Sequence, residues 1–140
     1  MIQRQQTLWL LLATAAAILS FMFPFVTGIE LVDKTAMEKQ AEIVAGSNFF
    51  VLLLTISSAA ISTITIFLFK NRKQQLWLCL LGIVIAVGII TLYIIQMKKL
   101  THSTIALFAV LPFIILAGYF LAFRNIRKDE KLIKSLDKLR

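Results

Sequence analysis

The chain has 140 residues, of which 59% are hydrophobic and only 16% are charged, and its mean hydropathy is +0.87. Ordinary soluble domains carry about a quarter charged residues, so this composition excludes a disordered chain, a coiled coil and a soluble globule, and it predicts a single integral membrane domain. The net charge of +8 fits loops held beside anionic lipid in the cytoplasm, and no nucleic-acid partner is expected.

Four stretches without a charged residue follow one another along the chain, at residues 8–26, 48–69, 76–95 and 104–123. Each is close to the ~20 residues that cross a bilayer as a helix, and none alternates polar and apolar side chains as barrel strands do. We therefore predict an all-α membrane protein, an antiparallel four-helix transmembrane bundle. The first stretch also resembles a signal peptide, but its length favours a retained span. Pro112, inside the fourth stretch, predicts a kink.

The basic residues are divided unequally between the two sides of such a bundle. Eleven of them lie on one side, in the flank with Arg4, in the connection 70–73 and in the tail 124–140, and four lie on the other. Because lysine and arginine are retained on the cytoplasmic side of a membrane, this division predicts cytoplasmic N and C termini. Trp9 and Trp77 open spans on that same side, where indole rings favour the interface.

The long connection 27–47 is predicted to lie on the outer side and is net negative. Thr35 and Glu38 have the spacing of a capping box, which predicts a short helix over residues 36–44 that ends at Gly46. A ligand-binding loop and a plain connector both fit this segment. The connector is favoured, because most loops only join elements.

The spans contain no pattern typical of an active site. The hydroxyl groups of the second span have no histidine or lysine base in any span, and the lone His102 has no second histidine, carboxylate cluster or cysteine pair near it at metal-binding spacing. We therefore expect no enzymatic activity, catalytic residue, cofactor or metal site. Ser58 and Ser62 are four residues apart, as are Gly82 and Ala86, and small residues at this spacing predict close helix packing.

The tail 124–140 is the most strongly patterned segment. On a helical projection its apolar side chains fall within an arc of roughly 140°, and its basic side chains lie opposite. The apolar set is Ile126, Leu132, Ile133, Leu136 and Leu139. Such a helix fits either the inner lipid surface or a partner protein. Asp129 lies inside the apolar arc and is expected to pair with Arg4 or Arg140, unless the tail frays and solvates it.

Both ends of the chain resemble a known family. The start, Met1-Ile2-Gln3-Arg4-x-Gln6-Thr7 followed by Leu8-Trp9-Leu10-Leu11-Leu12, and the tail from Arg124 to Arg140 are similar to the ends of a small membrane family catalogued as domain of unknown function 4293. The resemblance implies a bacterial inner-membrane protein of the Bacteroidetes type and implies no activity. Because the similar ends are the predicted cytoplasmic ends, it favours a site on the inner face.

These observations predict a non-enzymatic membrane partner or adaptor protein that presents a cytoplasmic basic helix to a protein or to anionic lipid head groups. A membrane-protein partner and a homo-oligomer both fit. The predicted interface consists of Arg4, Arg124, Arg127, Lys128, Asp129 and Glu130. The alternative is a small oligomeric transporter or channel for neutral or apolar solutes, which would depend on polar positions in the spans such as Ser58, Ser62 and Gln96.

Overall fold

The computed structural model describes residues 2–32, 37–68, 70–100 and 102–140, and for residues 2–4, 30–32 and 37–39 it describes the backbone alone. These ranges form four α-helices and three short β-strands. In chain order they are α1 (Ile2–Met22), β1 (Val26–Val32), β2 (Met37–Ile43), α2 (Phe49–Phe67), α3 (Arg72–Met97), β3 (His102–Ile105) and α4 (Val110–Lys138). Each helix is long and apolar enough to cross a membrane, so the predicted helices are confirmed.

The helices form an antiparallel bundle in which α1 and α3 each pack against both α2 and α4. Helices α1 and α4 come close together at Gly118. A methyl group added to Gly118 of α4 would lie 2.9 Å from the carbonyl oxygen of Trp9 and 3.0 Å from the Cβ of Ala13. Gly118 therefore lets the two backbones come together, as small residues do in helix pairs. The buried side chain of Ala13 lies at this contact on the α1 side, and the small side chains of Ala16 and Ala17 are buried in the same core cluster.

Tyr119 connects α4 to α2 and α3 in the middle of the bundle. Its hydroxyl donates a hydrogen bond to the carbonyl oxygen of Ser58 at 2.5 Å, and its ring fills the space left by Gly82, where a Cβ would lie 2.3 Å from a ring carbon. Ser62 contacts the hydroxyl of Thr14 on α1 at 2.6 Å. Together with buried Ala86, the residues that the sequence marks for packing lie in the bundle interior.

Helix α2 carries many hydroxyl side chains without leaving them unpaired. The Oγ1 atoms of Thr55, Thr63 and Thr65 donate to carbonyl oxygens four residues earlier at 2.6–2.8 Å, and Ser57 does the same at 2.8 Å. Such bonds let serine and threonine lie in an apolar helix, because the hydroxyl needs no water.

The strands form a sheet at one end of the bundle, which we call the sheet end. Its order is β2-β1-β3, and β1 is antiparallel to both neighbours. At its inner edge the N–H of Phe25 donates to Ile43 at 2.8 Å, and the N–H of Ala106 donates to Phe25 at 3.1 Å. The connection after α1 is therefore hydrogen-bonded to the connection before α4.

The sheet was not predicted, and the short helix expected over residues 36–44 is wrong, because Met37–Ile43 forms β2. Thr35 and Ala36 lie outside the described residues. A helix of this length is marginal without tertiary packing. The strand instead pairs along its whole length with β1, which is rich in the β-branched residues that favour strands.

Two helix boundaries also differ from the charge-free stretches. Helix α1 ends at Met22, because Pro24 restricts the residue before it and cannot continue the helix. Helix α4 begins at Val110, because residues 102–105 pair with β1. Pro112 is therefore the third residue of α4, where its missing N–H breaks no interior hydrogen bond. At this position Pro112 gives no reason for the kink that was expected in the fourth span.

The contact between Gly82 and Tyr119 predicts the effect of one methyl group. In G82A the new Cβ has no room beside a fully buried ring, so we expect a loss of about 1–3 kcal/mol in the free energy of unfolding. Thermal unfolding in detergent measures it. The control is G88A in the same helix, whose Cβ makes ordinary contact with Leu54 at 3.5 Å. Equal melting temperatures for the two variants would contradict the close contact between Gly82 and Tyr119.

Candidate functional site

The end of the bundle opposite the sheet, which we call the tail end, carries the start of α1, the turn between α2 and α3, and the last part of α4. Residues 130–138 of α4, which we call distal α4, continue as unbroken helix. All side chains from Lys131 to Arg140 are exposed. Distal α4 therefore projects from the bundle as a continuation of a packed helix.

A buried hydrogen bond joins α1 to α4 just before this projection. The side-chain nitrogen Nε2 of Gln6 donates to Oδ2 of Asp129 at 2.6 Å, and the two residues are only 5% and 8% exposed. A buried carboxylate is costly unless it is hydrogen-bonded, and a hydrogen bond to a charged group contributes about 1.5–3 kcal/mol. Gln6 therefore stabilises Asp129 inside the bundle and holds α4 against α1.

This pairing differs from the expected ion pair. The side chain of Arg4 lies outside the described residues, so that expectation stays a prediction. Arg140 is exposed at the far end of the tail, and among the described side chains the ion pair at this end joins Lys134 to Glu130. The alternative of a solvated Asp129 in a frayed tail is wrong, because Asp129 is buried and lies within α4.

The apolar arc of the tail is divided into a packed part and an uncovered part. Ile126 is 1% exposed and belongs to the core, whereas Leu132, Ile133, Leu136 and Leu139 are 40–84% exposed. The spacing of these four side chains places them along one side of the helix. Distal α4 is therefore amphipathic, as predicted, with an apolar stripe that nothing in the described chain covers.

A cleft of about 620 Å³ lies between distal α4 and the turn that joins α2 to α3. We call it the notch. Its described lining consists of residues 70–74 together with Glu130, Ile133, Lys134 and Asp137. Lys70, Arg72, Lys73 and Lys134 outnumber its two carboxylates, and Glu130 is already paired with Lys134 at 2.9 Å. The notch is therefore a basic cleft that also presents an apolar side chain.

Glu130 remains ionised in this setting. Its hydrogen bond to Lys134 lowers the pKa of its carboxyl group, and the charges of Lys134, Lys73 and Arg127 act in the same direction. Glu130 therefore belongs to a charge network of the notch, beyond the apolar part of α4.

The described side chains of the predicted interface, which exclude that of Arg4, do not form one surface. Asp129 points into the bundle and Glu130 borders the notch. Arg124, Arg127 and Lys128 are exposed, and the guanidinium carbon of Arg127 lies 6.0 Å from the ring centroid of Phe123. A helical projection shows which residues share a face, but it does not show which neighbouring helix covers that face.

Sequence reasoning also missed several residues of the tail end. Gln6 was not singled out, and Lys70 and Lys73 entered only the count of basic residues. Gly118 lies four residues before Ala122, the spacing that marked the other packing positions. The signal for Gly118 was therefore present in the sequence, whereas the partner of Gln6 depends on the register between α1 and α4.

Comparison with known proteins identifies a family. The family model described as Domain of unknown function (DUF4293) matches residues 2–139. The match covers nearly the whole chain, so the chain belongs to this family, and the resemblance drawn from its two ends is confirmed. No curated protein and no solved structure matches the chain.

The hydrogen bond between Gln6 and Asp129 predicts a non-additive pair of substitutions. Q6L leaves a buried carboxylate without this donor, and we expect it to cost about 1–3 kcal/mol of stability. The double variant Q6L/D129L leaves neither polar group buried and should recover most of that loss. Thermal unfolding in detergent and the rate of Cys79 modification measure the effect, since Cys79 is fully buried.

A matched control is Q5L, because the Gln5 side chain is exposed and should change stability by less than about 0.5 kcal/mol. If the costs of Q6L and D129L simply add in the double variant, the hydrogen bond does not hold α1 to α4.

Proposed function

We propose that this member of the DUF4293 family is a non-enzymatic integral protein of the bacterial inner membrane that presents distal α4 to a partner protein in the cytoplasm. The proposal combines helices long and apolar enough to cross a membrane with the eleven-to-four division of basic residues. That division favours a cytoplasmic tail end and an outer sheet end.

The outside of the bundle supports a membrane setting. Large apolar side chains point outward from the middle of the helices, including Leu11 on α1, Val84 on α3 and Phe120 on α4, which are 56–64% exposed. Contiguous apolar surface of this kind is unfavourable in water and favourable against lipid, where the backbone is satisfied within each helix.

The apolar stripe on distal α4 is the observation that carries the proposal. Helix α4 has 29 residues, which is about 43 Å at 1.5 Å per residue, and the hydrocarbon core of a bilayer is about 30 Å thick. An α4 that spans the membrane therefore places its distal part beyond the hydrocarbon core. Because the helix is unbroken, distal α4 extends away from that core, and its apolar stripe is better covered by a protein than by the lipid surface.

The surroundings of the stripe define the partner. Lys70, Lys73 and Lys134 border the notch next to Ile133. An amphipathic partner helix with acidic residues along its edges would bury its apolar side on Ile133 and Leu136 and place its carboxylates near these lysines. Helix-in-groove recognition uses anchors at this spacing, and the charges select the partner and its orientation.

The transporter alternative has less support. The hydroxyl of Ser58 is buried beside Tyr119, and Ser62 contacts Thr14 while donating to the carbonyl oxygen of Ala59. These side chains hold helices together, so their polarity is explained without a solute path.

Site-specific photocrosslinking tests the partner interface. A benzophenone amino acid replaces either Leu136, on the apolar stripe, or Lys131, which lies about 140° away around the helix and is also exposed. In native membranes we expect position 136 to crosslink one protein through an amphipathic segment with acidic edges. We expect I133N to abolish that product.

Crosslinking of the same protein from position 131 would show that it contacts both sides of distal α4. That result would contradict the proposal. Products that contain only lipid or only copies of this chain would also contradict it.

Cysteine labelling tests the orientation. The variants S103C and S135C, each in a C79S background, place one thiol in exposed β3 and one in exposed distal α4. A membrane-impermeant maleimide added to spheroplasts should label S103C and should label S135C only after the membrane is opened. The reverse pattern would place the tail end outside.

A further inference from the structure

We propose that a groove between the start of α1 and the last membrane turns of α4 binds one anionic glycerophospholipid, with its phosphate on Arg124 and Lys128. The groove has a volume of about 740 Å³, and we call it the lipid groove. The inference rests on the proposed membrane setting but not on the partner protein, because the notch has a different lining.

The lining of the lipid groove changes from apolar to polar toward the tail end. From the apolar end to the polar end, α1 contributes Leu12, Trp9, Leu8 and Gln5, and α4, which runs antiparallel to α1, contributes Leu121, Arg124, Asn125 and Lys128. Each set spans eight residues, or about 10 Å of helix. A phospholipid has the same order over this distance, with an acyl chain followed by the ester and phosphate region.

The polar end of the groove carries two positive charges. Arg124 and Lys128 are one turn apart, exposed, and part of the groove lining, which contains no carboxylate among the described residues. The nearest carboxylates in sequence are engaged elsewhere, since Asp129 accepts from Gln6 and Glu130 pairs with Lys134. Gln5 and Asn125 add amide donors beside these cations. This set of donors matches the oxygens of a phosphodiester.

The apolar surroundings identify a membrane lipid as the source of the phosphate. Leu8 is 64% and Leu12 43% exposed, so the groove opens onto surface that a bilayer would cover. Trp9 is half-buried in the groove wall, as expected for an indole at the lipid interface. A free phosphate in water would leave this apolar wall exposed.

A second hollow, of about 400 Å³, lies on the other side of the same two cations. Phe120 and Phe123 line its apolar part. Arg124 and Lys128 therefore form a basic ridge between the lipid groove and this hollow, whose lining also includes Arg127 and Lys131. A phospholipid whose phosphate lies on the ridge can place one acyl chain in the lipid groove and the other against Phe120.

Fluorescence quenching tests the proposal. The chain has two tryptophans, so W77F leaves Trp9, in the groove, as the only tryptophan, which is excited selectively at wavelengths that tyrosine does not absorb. The protein is reconstituted into vesicles that contain both phosphatidylglycerol and phosphatidylcholine, with either lipid brominated at the same small mole fraction. We expect brominated phosphatidylglycerol to quench Trp9 more strongly, with an association preference on the order of fivefold for each basic residue.

The variant R124Q/K128Q, in the W77F background, should reduce this preference to near one. The matched control K70Q/K73Q removes the same charge from exposed positions at the same end of the bundle and should keep the preference. Protection of buried Cys79 from a thiol reagent shows that both variants remain folded.

Three outcomes would overturn the lipid site. These are equal quenching by the two lipids, an equal loss of preference in both double variants, and relief of quenching by inorganic phosphate. The assay contains no partner protein and both leaflets contain the anionic lipid. It therefore gives the same answer whether or not the partner proposal and the orientation are correct.

Discussion

The close contact of α1 with α4 at Gly118 determines the rest of the tail end. Two helices in backbone contact cannot slide without creating clashes, so this contact sets their register. Toward the sheet end, the register stacks Phe23 on Phe108, with ring centroids 4.0 Å apart. Toward the tail end, it brings Gln6 within hydrogen-bonding distance of Asp129. The lipid groove and the start of distal α4 lie next to that hydrogen bond, so their positions follow from one glycine.

The helices could be predicted because a membrane span is specified by composition over about 20 residues. The sheet could not be predicted in the same way. Val26 was interpreted as the end of an apolar span, residues 27–32 as part of the outer connection, and Glu38 as part of a helix cap. Strand pairing depends on residues far apart in the chain, such as Thr27 and Thr104, whose hydroxyl oxygens are 3.0 Å apart. Pro24 is the local sequence signal that α1 ends before Val26.

The candidate site was predicted in part for a similar reason. Helical periodicity separated the apolar and basic side chains of the tail, and it placed Asp129 on the apolar face, which agrees with the burial of Asp129 in the bundle. It could not show that Ile126 is covered while Leu136 is not, because that depends on where the neighbouring helices end. It also treated Arg124 and Glu130 as one interface, although they border different clefts.

The sheet has a mechanical consequence for the bundle. Its hydrogen bonds join the connection between α1 and α2 to the connection between α3 and α4. The helices are therefore held together at the sheet end. Angular motion of a clamped helix then grows with distance from the clamp. Over about 30 Å of helix, a tilt of roughly 5° moves the free end by roughly 2.6 Å. Because Gln6 and Asp129 join α1 to α4, the largest movement then falls at the notch, between α4 and the turn that joins α2 to α3.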